Sequence, residues 1–220
     1  MEKLIRRFPK IISKDEVIKL ILTIAKSKRY DKYGAGKFLR LRDATLQMLL
    51  FYTGLRPGEA INLKWSDIHF EERMIDVNPY HNKERNEMSA VLTKPAEQVI
   101  LDYKSQIEEM QIKSEFLFPS LWTWKPMTVD GMGKRFREIC KEAGLNNIKY
   151  YTDLGMPKYQ YNLYSYRRKF GTEVYNKTND FMAVMRLMRL LQPSSIPRYV
   201  IYSDEKRIKI ADDVFNSSNS

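Results

Sequence analysis

The residue whose type and setting first suggest chemistry is Arg56, which lies between two apolar segments in Tyr52-Thr-Gly-Leu-Arg-Pro-Gly-Glu-Ala60. Gly54 is typical of the end of a helix, and Pro57 of the first turn of the next. Because the residue before a proline favours an extended backbone, Arg56 is predicted to be fixed between two helix ends. A guanidinium so fixed is always charged and donates in a planar fork, which suits an oxyanion. An ion pair with Glu59, one helical turn away, is the alternative role, and the two roles are compatible.

The overall charge points to a polyanionic partner. The 220 residues include 38 Lys and Arg against 27 Asp and Glu, a net charge of +11, and the basic residues are spread along the chain. Nucleic acid is the first candidate for such a partner, although many basic proteins bind none. With 43% hydrophobic residues, the chain is long enough to bury a core of its own.

Residues that hold metals or disulfides are scarce. One cysteine, Cys140, and two histidines, His69 and His81, do not suffice for a zinc cluster or a His-rich site, so no metal or other cofactor is predicted. The first residues lack the apolar region of a signal peptide, and no apolar run approaches the roughly 20 residues that span a bilayer. We expect a cytoplasmic or DNA-associated protein with no membrane partner.

Helices make up most of the predicted structure that must position Arg56. Ser13 and Glu16 have the spacing of a capping box, which predicts a helix from there to about Lys26. The basic, aperiodic segment 27–38 is predicted to be a loop. Further helices are predicted at 39–53, from Pro95, and at 128–143, 165–176, 180–191 and 203–214.

Short strands are predicted within 67–70, 74–77 and 88–92, separated by polar turns. The segment 146–161 is polar, aromatic and rich in turn residues, and is predicted to be a loop, while 192–197 is a break between helices. The fold class is therefore mostly α with a small antiparallel β-sheet.

The sequence from Leu41 to Ile68 resembles the catalytic domain of the tyrosine recombinases, the phage integrase family. The resemblance extends back to Phe8-Pro-Lys-Ile-Ile-Ser-Lys-Asp-Glu16 and forward to about Glu205. It implies one catalytic domain over 1–215, with a disordered tail at 216–220. The family's separate N-terminal core-binding domain has no counterpart in this chain, which is either a part of a longer integrase or a minimal enzyme.

A second motif of the family is matched at Leu163-Tyr-Ser-Tyr-Arg-Arg-Lys-Phe-Gly-Thr172. By the resemblance, Arg56 and Arg167 are the two arginines that hold the scissile phosphate. Tyr164 stands where the family usually has histidine. A tyrosine donates a hydrogen bond to a phosphate, but its pKa near 10 makes it a poor general base at neutral pH.

The resemblance also implies a general acid on the tip of a β-hairpin. Lys83 lies in the turn between the second and third predicted strands, where the family carries a lysine that protonates the leaving 5′ oxygen. Lys94 is the alternative candidate. A Lys83 that serves only as a surface residue is the other interpretation.

Two tyrosines compete for the role of nucleophile. Alignment without a gap puts Gln192 and Pro193 in place of the family's Gly-His, and the family spacing of nine residues then selects Tyr202. Tyr199 is the runner-up and requires a deletion. Because the histidine is missing, Gln192 or a basic residue such as Arg189 is left to contact the phosphate.

Other basic residues are candidates for contacts with the DNA backbone, and helix-surface solvation is the alternative for each. They are Arg168, Lys169, Lys134, Arg135 and Arg198.

The implied activity is cleavage and rejoining of double-stranded DNA through a 3′-phosphotyrosyl intermediate. The implied partners are duplex DNA and further copies of the chain. The same chemistry would serve a type IB topoisomerase-like relaxase. The two replaced histidines favour a rival of another class, a DNA-binding protein that kept the fold and lost catalysis.

Overall fold

The computed structural model describes residues 11–78, 88–152, 154–199 and 204–216. Eight α-helices are found in these ranges: α1 (Lys14–Lys26), α2 (Gly36–Thr53), α3 (Pro57–Ala60), α4 (Lys94–Glu109), α5 (Val129–Glu142), α6 (Tyr164–Thr178), α7 (Phe181–Met188) and α8 (Asp204–Asn216). The same ranges hold five strands: β1 (Ile68–His69), β2 (Met74–Val77), β3 (Met88–Val91), β4 (Ile148–Tyr151) and β5 (Pro157–Tyr159). The predicted fold class, mostly α with small antiparallel sheets, is confirmed.

The first helix begins as its capping box predicts. The Ser13 side chain accepts from the Glu16 amide at 3.1 Å, and the Glu16 carboxylate accepts from the Ser13 amide at 2.8 Å. The loop prediction for 27–38 is wrong in part, because Lys28–Tyr33 form a 3-10 helix and α2 begins at Gly36. A side chain at position 36 would meet the Tyr30 carbonyl oxygen at 2.8 Å, which explains the glycine there.

Helix α2 is the central element of the molecule. It packs against α1, α4 and α6, and its core side chains Leu39, Leu46, Leu49 and Leu50 are almost fully buried. Burial on three sides fixes both ends of the helix. The turn after α2, which carries Arg56, is therefore mounted on the rigid centre of the fold.

The predicted three-stranded sheet is present. Strands β1, β2 and β3 lie in that order and pair antiparallel, with Ile75 opposite both Ile68 and Ala90. All three side chains are buried.

The prediction of a loop for 146–161 is wrong. Strands β4 and β5 form an antiparallel hairpin with an irregular register between Ile148 and Tyr150. Neither strand has a buried residue, so their sequence lacks the alternation of apolar and polar residues by which a half-buried strand is recognised.

Helices α6 and α7 and the segment after them form a second, smaller hydrophobic cluster. It consists of Tyr175, Val184, Met188, Leu190 and Ile196. Helix α7 ends at Met188, short of the predicted boundary at Leu191, because Arg189 adopts a left-handed backbone conformation. The predicted break after it contains a 3-10 helix, Pro193–Arg198.

Candidate active site

Arg56 is held in the way that its sequence setting predicts. Gly54 ends α2 with φ +63°, Arg56 is extended with φ −69° and ψ 145°, and Pro57 is the first residue of α3. One carboxylate oxygen of Glu59 accepts from the Arg56 backbone amide at 2.7 Å, and the other accepts from Nη1 of the Arg56 side chain at 2.7 Å. Backbone and guanidinium of Arg56 are thus fixed by the same residue.

Glu59 is fully buried and binds a second arginine. Nη2 of Arg189 donates to Oε2 of Glu59 at 2.8 Å. Burial acts to raise the pKa of Glu59, but the Arg189 charge and the hydrogen bonds from Arg56 outweigh it and hold the pKa below its ordinary value. Glu59 is therefore ionised at neutral pH and joins two guanidinium groups.

Arg167 lies on α6 with its side chain completely buried. Nη1 donates to the Gly54 carbonyl oxygen at 2.6 Å, and Nη2 donates to the Met188 carbonyl oxygen. Burial and the charges of Arg189 and Arg56 lower the pKa of Arg167 to about 10, so the group remains charged at neutral pH. Arg167 connects the end of α2 to the end of α7.

Two arginines therefore form ion pairs with one carboxylate, and the charge of a third, Arg167, acts on the same carboxylate. We call Arg56, Glu59, Arg167 and Arg189 the arginine cluster. Among these groups, three positive charges face one negative charge, an excess of two. Within the described part of the chain, Nε of Arg167 and Nε of Arg189 have no hydrogen-bond partner. Buried donors and uncompensated positive charge in one place suit a bound oxyanion.

Arg189 is the member of the cluster that the sequence indicated only as one substitute for a missing histidine. Its side chain is 2% exposed. The run Val184-Met-Arg-Leu-Met-Arg-Leu-Leu191 holds two arginines among apolar residues, and the sequence does not indicate that Arg189 is the buried one and Arg186 the exposed one.

Of the two nucleophile candidates, Tyr199 is described and Tyr202 lies outside the described residues. The Arg167 guanidinium carbon is 5.4 Å from the centre of the Tyr199 ring. The Tyr199 carbonyl oxygen accepts from the Thr172 hydroxyl at 2.6 Å, which ties this segment to α6. The segment that leads to Tyr202 therefore begins directly on the arginine cluster.

The residues at the family's histidine positions lie at the surface. Tyr164 is the first residue of α6 and is 43% exposed, and Pro193 is exposed at the start of the 3-10 helix, directly after the exposed Gln192. The general-acid candidate Lys83 lies outside the described residues. The alternative, Lys94, is exposed at the first position of α4.

The predicted DNA contacts differ in their surroundings. Arg168 is half-buried and donates to the Ser165 hydroxyl at 2.9 Å, and burial lowers its pKa. Lys169 and Lys134 form ion pairs within their own helices, with Glu173 and Asp130.

Arg135 contacts the buried Asp43 carboxylate at 3.1 Å, so part of its charge is used inside the protein. The side chain of Arg198 lies outside the described residues.

A groove between α5 and the β4–β5 hairpin leads to Arg168. Its lining is mostly basic and aromatic, and includes Arg137, Lys149, Tyr150, Tyr159 and Tyr164. Both Lys149 and Arg168 line this groove, and burial and the charge of Arg168 lower the pKa of Lys149.

The structure describes no group of three or more His, Cys, Asp or Glu side chains placed to hold a metal ion. None of its described helices combines the length and apolar character needed to cross a bilayer.

Comparison with known proteins defines the class. The model of the phage integrase family matches residues 10–206, and the chain belongs to that family. The tyrosine recombinase XerD of Listeria innocua is 24% identical over 205 residues, which are 93% of this chain and 61% of the relative. The probable integrase/recombinase YoeC of Bacillus subtilis is 24% identical over 199 residues, 90% of this chain and 97% of the relative. The chain thus spans less than two thirds of XerD and nearly all of YoeC.

Solved structures share the fold. The crystal structure of XerA recombinase superposes with a TM-score of 0.68 at 18% identity, covering 94% of this chain and 65% of that one. The XerH site-specific recombinase, bound to its palindromic difH substrate in a post-cleavage complex, gives a TM-score of 0.66 at 20% identity, covering 94% of this chain and 53% of that one.

Proposed function

We propose that this protein is a site-specific DNA recombinase that cleaves and rejoins strands through a 3′-phosphotyrosyl intermediate. The observation that carries the proposal is the arginine cluster, in which Arg56 and Arg189 pair with Glu59 and Arg167 adds a third cation, an excess of two positive charges. Attack on a phosphodiester adds negative charge to the non-bridging oxygens, and fixed cations stabilise that charge. Membership of the phage integrase family and the names of the relatives support the same reaction.

In the proposed reaction the phenolic oxygen of Tyr202 attacks the scissile phosphorus. A phosphorus–oxygen bond to tyrosine forms as the bond to the 5′ oxygen breaks, and Lys83 gives that oxygen its proton. Arg56 and Arg167 hold the phosphate oxygens. The new bond conserves the energy for rejoining, so the reaction needs neither a metal nor a nucleotide.

Duplex DNA is the proposed substrate, and the cytoplasm or the nucleoid is the proposed location. We also propose that residues 1–215 act as one catalytic domain and that several copies assemble on DNA. Helix α8 supports self-association, because its apolar side chains Ile208, Ile210 and Val214 are exposed. Exposed apolar side chains on one helix are typical of a surface that another chain covers.

The test is the capture of covalent adducts in excess EDTA. Tagged protein is incubated with a pool of nicked duplexes with a randomised centre, and is recovered under denaturing conditions so that only covalently attached DNA is sequenced. We expect adducts enriched for one sequence, with the nucleotide on Tyr202 by peptide mapping. Tyr202→Phe removes one oxygen and should yield none, whereas Tyr199→Phe should still react. A nucleotide on Tyr199 would reverse the assignment, and adducts that require a metal would contradict the mechanism.

A second candidate function is sequence-specific DNA binding without cleavage. The observation that favours it is the exposed Tyr164 and the Pro193 that stand at the family's histidine positions. Tight binding to a selected sequence with no adduct on any tyrosine would establish it. Adducts accompanied by relaxation of supercoiled plasmid, without exchange between two sites, would instead indicate a type IB topoisomerase-like relaxase.

A further inference from the structure

The backbone at Arg189 is unusual for a residue with a large side chain. Arg189 follows α7 with φ +54° and ψ 53°, the left-handed conformation that usually favours glycine at the end of a helix. A residue with a Cβ atom is less stable there by roughly 1–2 kcal/mol. The chain nevertheless has an arginine at this position and buries its guanidinium group.

The buried side chain ends at the carboxylate that orients Arg56. Nη2 of Arg189 donates to Oε2 of Glu59 at 2.8 Å, and Oε1 of Glu59 accepts from Nη1 of Arg56 at 2.7 Å. Glu59 has only two carboxylate oxygens, and both lie between these arginines. Any rotation of the carboxylate would therefore move the hydrogen bond to Arg56.

We propose that Arg189 is a positioning residue for strand cleavage, which holds Glu59 and through it the guanidinium of Arg56. The inference rests on the proposed function of the arginine cluster and assigns Arg189 a place in it. Nη2 of Arg189 is committed to Glu59, so we assign its effect on Arg56 to that shared carboxylate.

The charge of Arg189 has a second effect in the same cluster. A phosphodiester carries one negative charge, and the five-coordinate transition state of its displacement carries close to two. Without Arg189 the cluster of two arginines and Glu59 would have an excess of one positive charge; with it the excess is two. Arg189 therefore matches the cluster to the transition state more closely than to the bound substrate.

The first experiment compares Arg189→Gly with Arg189→Lys. Glycine relieves the left-handed backbone and removes the charge, whereas lysine keeps the charge. We expect Arg189→Gly to slow adduct formation about 10- to 100-fold, as loss of an orienting group typically does, while its unfolding midpoint stays within a few degrees of wild type. Arg189→Lys should recover part of the rate.

Asn179→Gly is the matched control. Asn179 ends α6 with φ +50° in the same left-handed conformation and is exposed. It tests the relief of backbone strain alone, so its adduct rate should equal that of wild type. If Arg189→Gly forms adducts slowly only because less of the protein is folded, the positioning role is contradicted.

The second measurement follows the ionisation of Glu59 without DNA. The charged groups that face its carboxylate are Arg56 from the turn after α2, Arg167 from α6 and Arg189 after α7. The carboxyl ¹³C resonance of Glu59, assigned by its absence in Glu59→Gln, should titrate at higher pH in Arg189→Gly than in wild type. The acid limb of adduct formation should move in the same direction.

These results distinguish failure of the proposed recombinase function from failure of the role assigned to Arg189. Failure of wild type to form adducts would remove the recombinase function, while the ¹³C titration would still decide whether Arg189 controls Glu59. An unchanged titration in Arg189→Gly would overturn the inference. In a double-mutant cycle, Arg189→Gly should add little to Glu59→Gln, and fully additive losses would show that Arg189 acts on the phosphate directly.

Discussion

Two buried carboxylates of this protein, Glu59 and Asp43, each lie among arginines. The two clusters differ in the hydrogen bonds that their arginines make. Glu59 lies among Arg56, Arg167 and Arg189, and two of these arginines have an Nε without a partner among the described residues. Asp43 lies between the helices α2 and α5 and also binds two arginines. The two clusters differ in whether the other N–H groups of these arginines have hydrogen-bond partners within the protein.

Around Asp43 the donors are used within the fold. Nε and Nη2 of Arg42 both donate to Oδ1 of Asp43, at 2.9 and 2.7 Å, and Nη1 donates to the Pro119 carbonyl oxygen at 2.6 Å. Oδ2 of Asp43 accepts from Arg135 and from the Tyr30 hydroxyl. Burial and the Asp43 charge raise the pKa of Tyr30, which keeps that hydroxyl a donor.

This difference shows that a buried arginine can serve either the stability of the fold or the binding of an anion. A buried arginine whose three nitrogens are all paired within the protein, as in Arg42, holds elements together, and its loss costs stability. A cluster with surplus charge and unpaired donors is costly to the free protein, and this cost is recovered when an anion binds. On this basis we assign the Asp43 cluster a structural role and propose the arginine cluster at Glu59 as the site.

The largest expected effect is a loss of stability in the Asp43 cluster. Arg42→Ala should lower the free energy of unfolding by about 3–5 kcal/mol, because it breaks a buried ion pair and leaves the Pro119 carbonyl without its donor. Urea unfolding followed by circular dichroism measures the change. Adduct formation per folded molecule should be unchanged.

The matched control is Arg29→Ala, which removes an ion pair with Glu138 whose two side chains are 37% and 52% exposed. It should cost less than about 1 kcal/mol, as surface pairs do. Equal losses in the two variants would mean that the Asp43 cluster contributes no more than a surface pair.

The next effect is on the functional side. Arg56→Ala should slow adduct formation about 100- to 1,000-fold, the cost of one preorganised donor to a developing oxyanion. Duplex affinity should fall only modestly, since many cations share the phosphates. Stability should change little, because Glu59 keeps Arg189 and the loss of Arg56 also relieves repulsion on Arg167 and Arg189.

Single-turnover rates and equilibrium binding on the same nicked duplex separate the two quantities. A parallel loss of affinity and rate would make Arg56 an ordinary backbone contact. A large loss of stability would place the Glu59 cluster in the same class as the Asp43 cluster.

The same comparison shows what the sequence could predict. Arg56 was predictable because local signals, Gly54 and Pro57, fix its backbone, and the family motif at Arg167 names the second arginine. The contact between Arg189 and Glu59 spans 130 residues of sequence. No local pattern encodes such a contact, since it depends on how α7 packs against the end of α2.

The fold follows the same rule. Helices with a buried face and a cap, such as the one that begins after Ser13, were predicted closely. The β4–β5 hairpin was missed because it is held by main-chain pairing and has little buried side-chain surface to leave a pattern. The C-terminal end of α7 was mispredicted because Arg189 occupies a conformation that its residue type does not favour.

A smaller effect tests whether side-chain packing around Gly171 influences the arginine cluster. In Gly171→Ala the new Cβ would lie 2.4 Å from Sδ of Met188 and 3.0 Å from Cβ of Tyr199. We expect a loss of about 1–3 kcal/mol from overpacking. Adduct formation should also slow, because the Met188 carbonyl holds Arg167.

Gly133→Ala is the control for this substitution. Its Cβ would meet only Nη1 of Arg137 at 3.6 Å, an ordinary contact, and α5 should gain about 0.5–1 kcal/mol from the better helix former. Slower adduct formation in Gly133→Ala would show that the effect at Gly171 is not specific to the arginine cluster.

The smallest effect concerns the two predicted DNA contacts that lie nearest the two clusters. Arg168 follows Arg167 and borders the groove, whereas Arg135 donates to Asp43. Arg168→Gln should reduce the slope of log K for duplex binding against log salt by about 0.9, the share of one phosphate contact. Arg135→Gln should leave the slope unchanged and lower the urea midpoint instead.

The physical reason is the state of each guanidinium before DNA arrives. The charge of Arg135 is already neutralised in part by a buried carboxylate, so a phosphate would have to compete with Asp43 for it. Arg168 donates to the neutral Ser165 hydroxyl and lies near a second cation, Lys149, so an approaching phosphate meets charge that is uncompensated by those two neighbours. Affinities measured across a salt series for both variants and wild type decide the matter. A reduced slope in Arg135→Gln with an unchanged slope in Arg168→Gln would reverse the comparison and make the Asp43 side of the molecule the face that meets DNA.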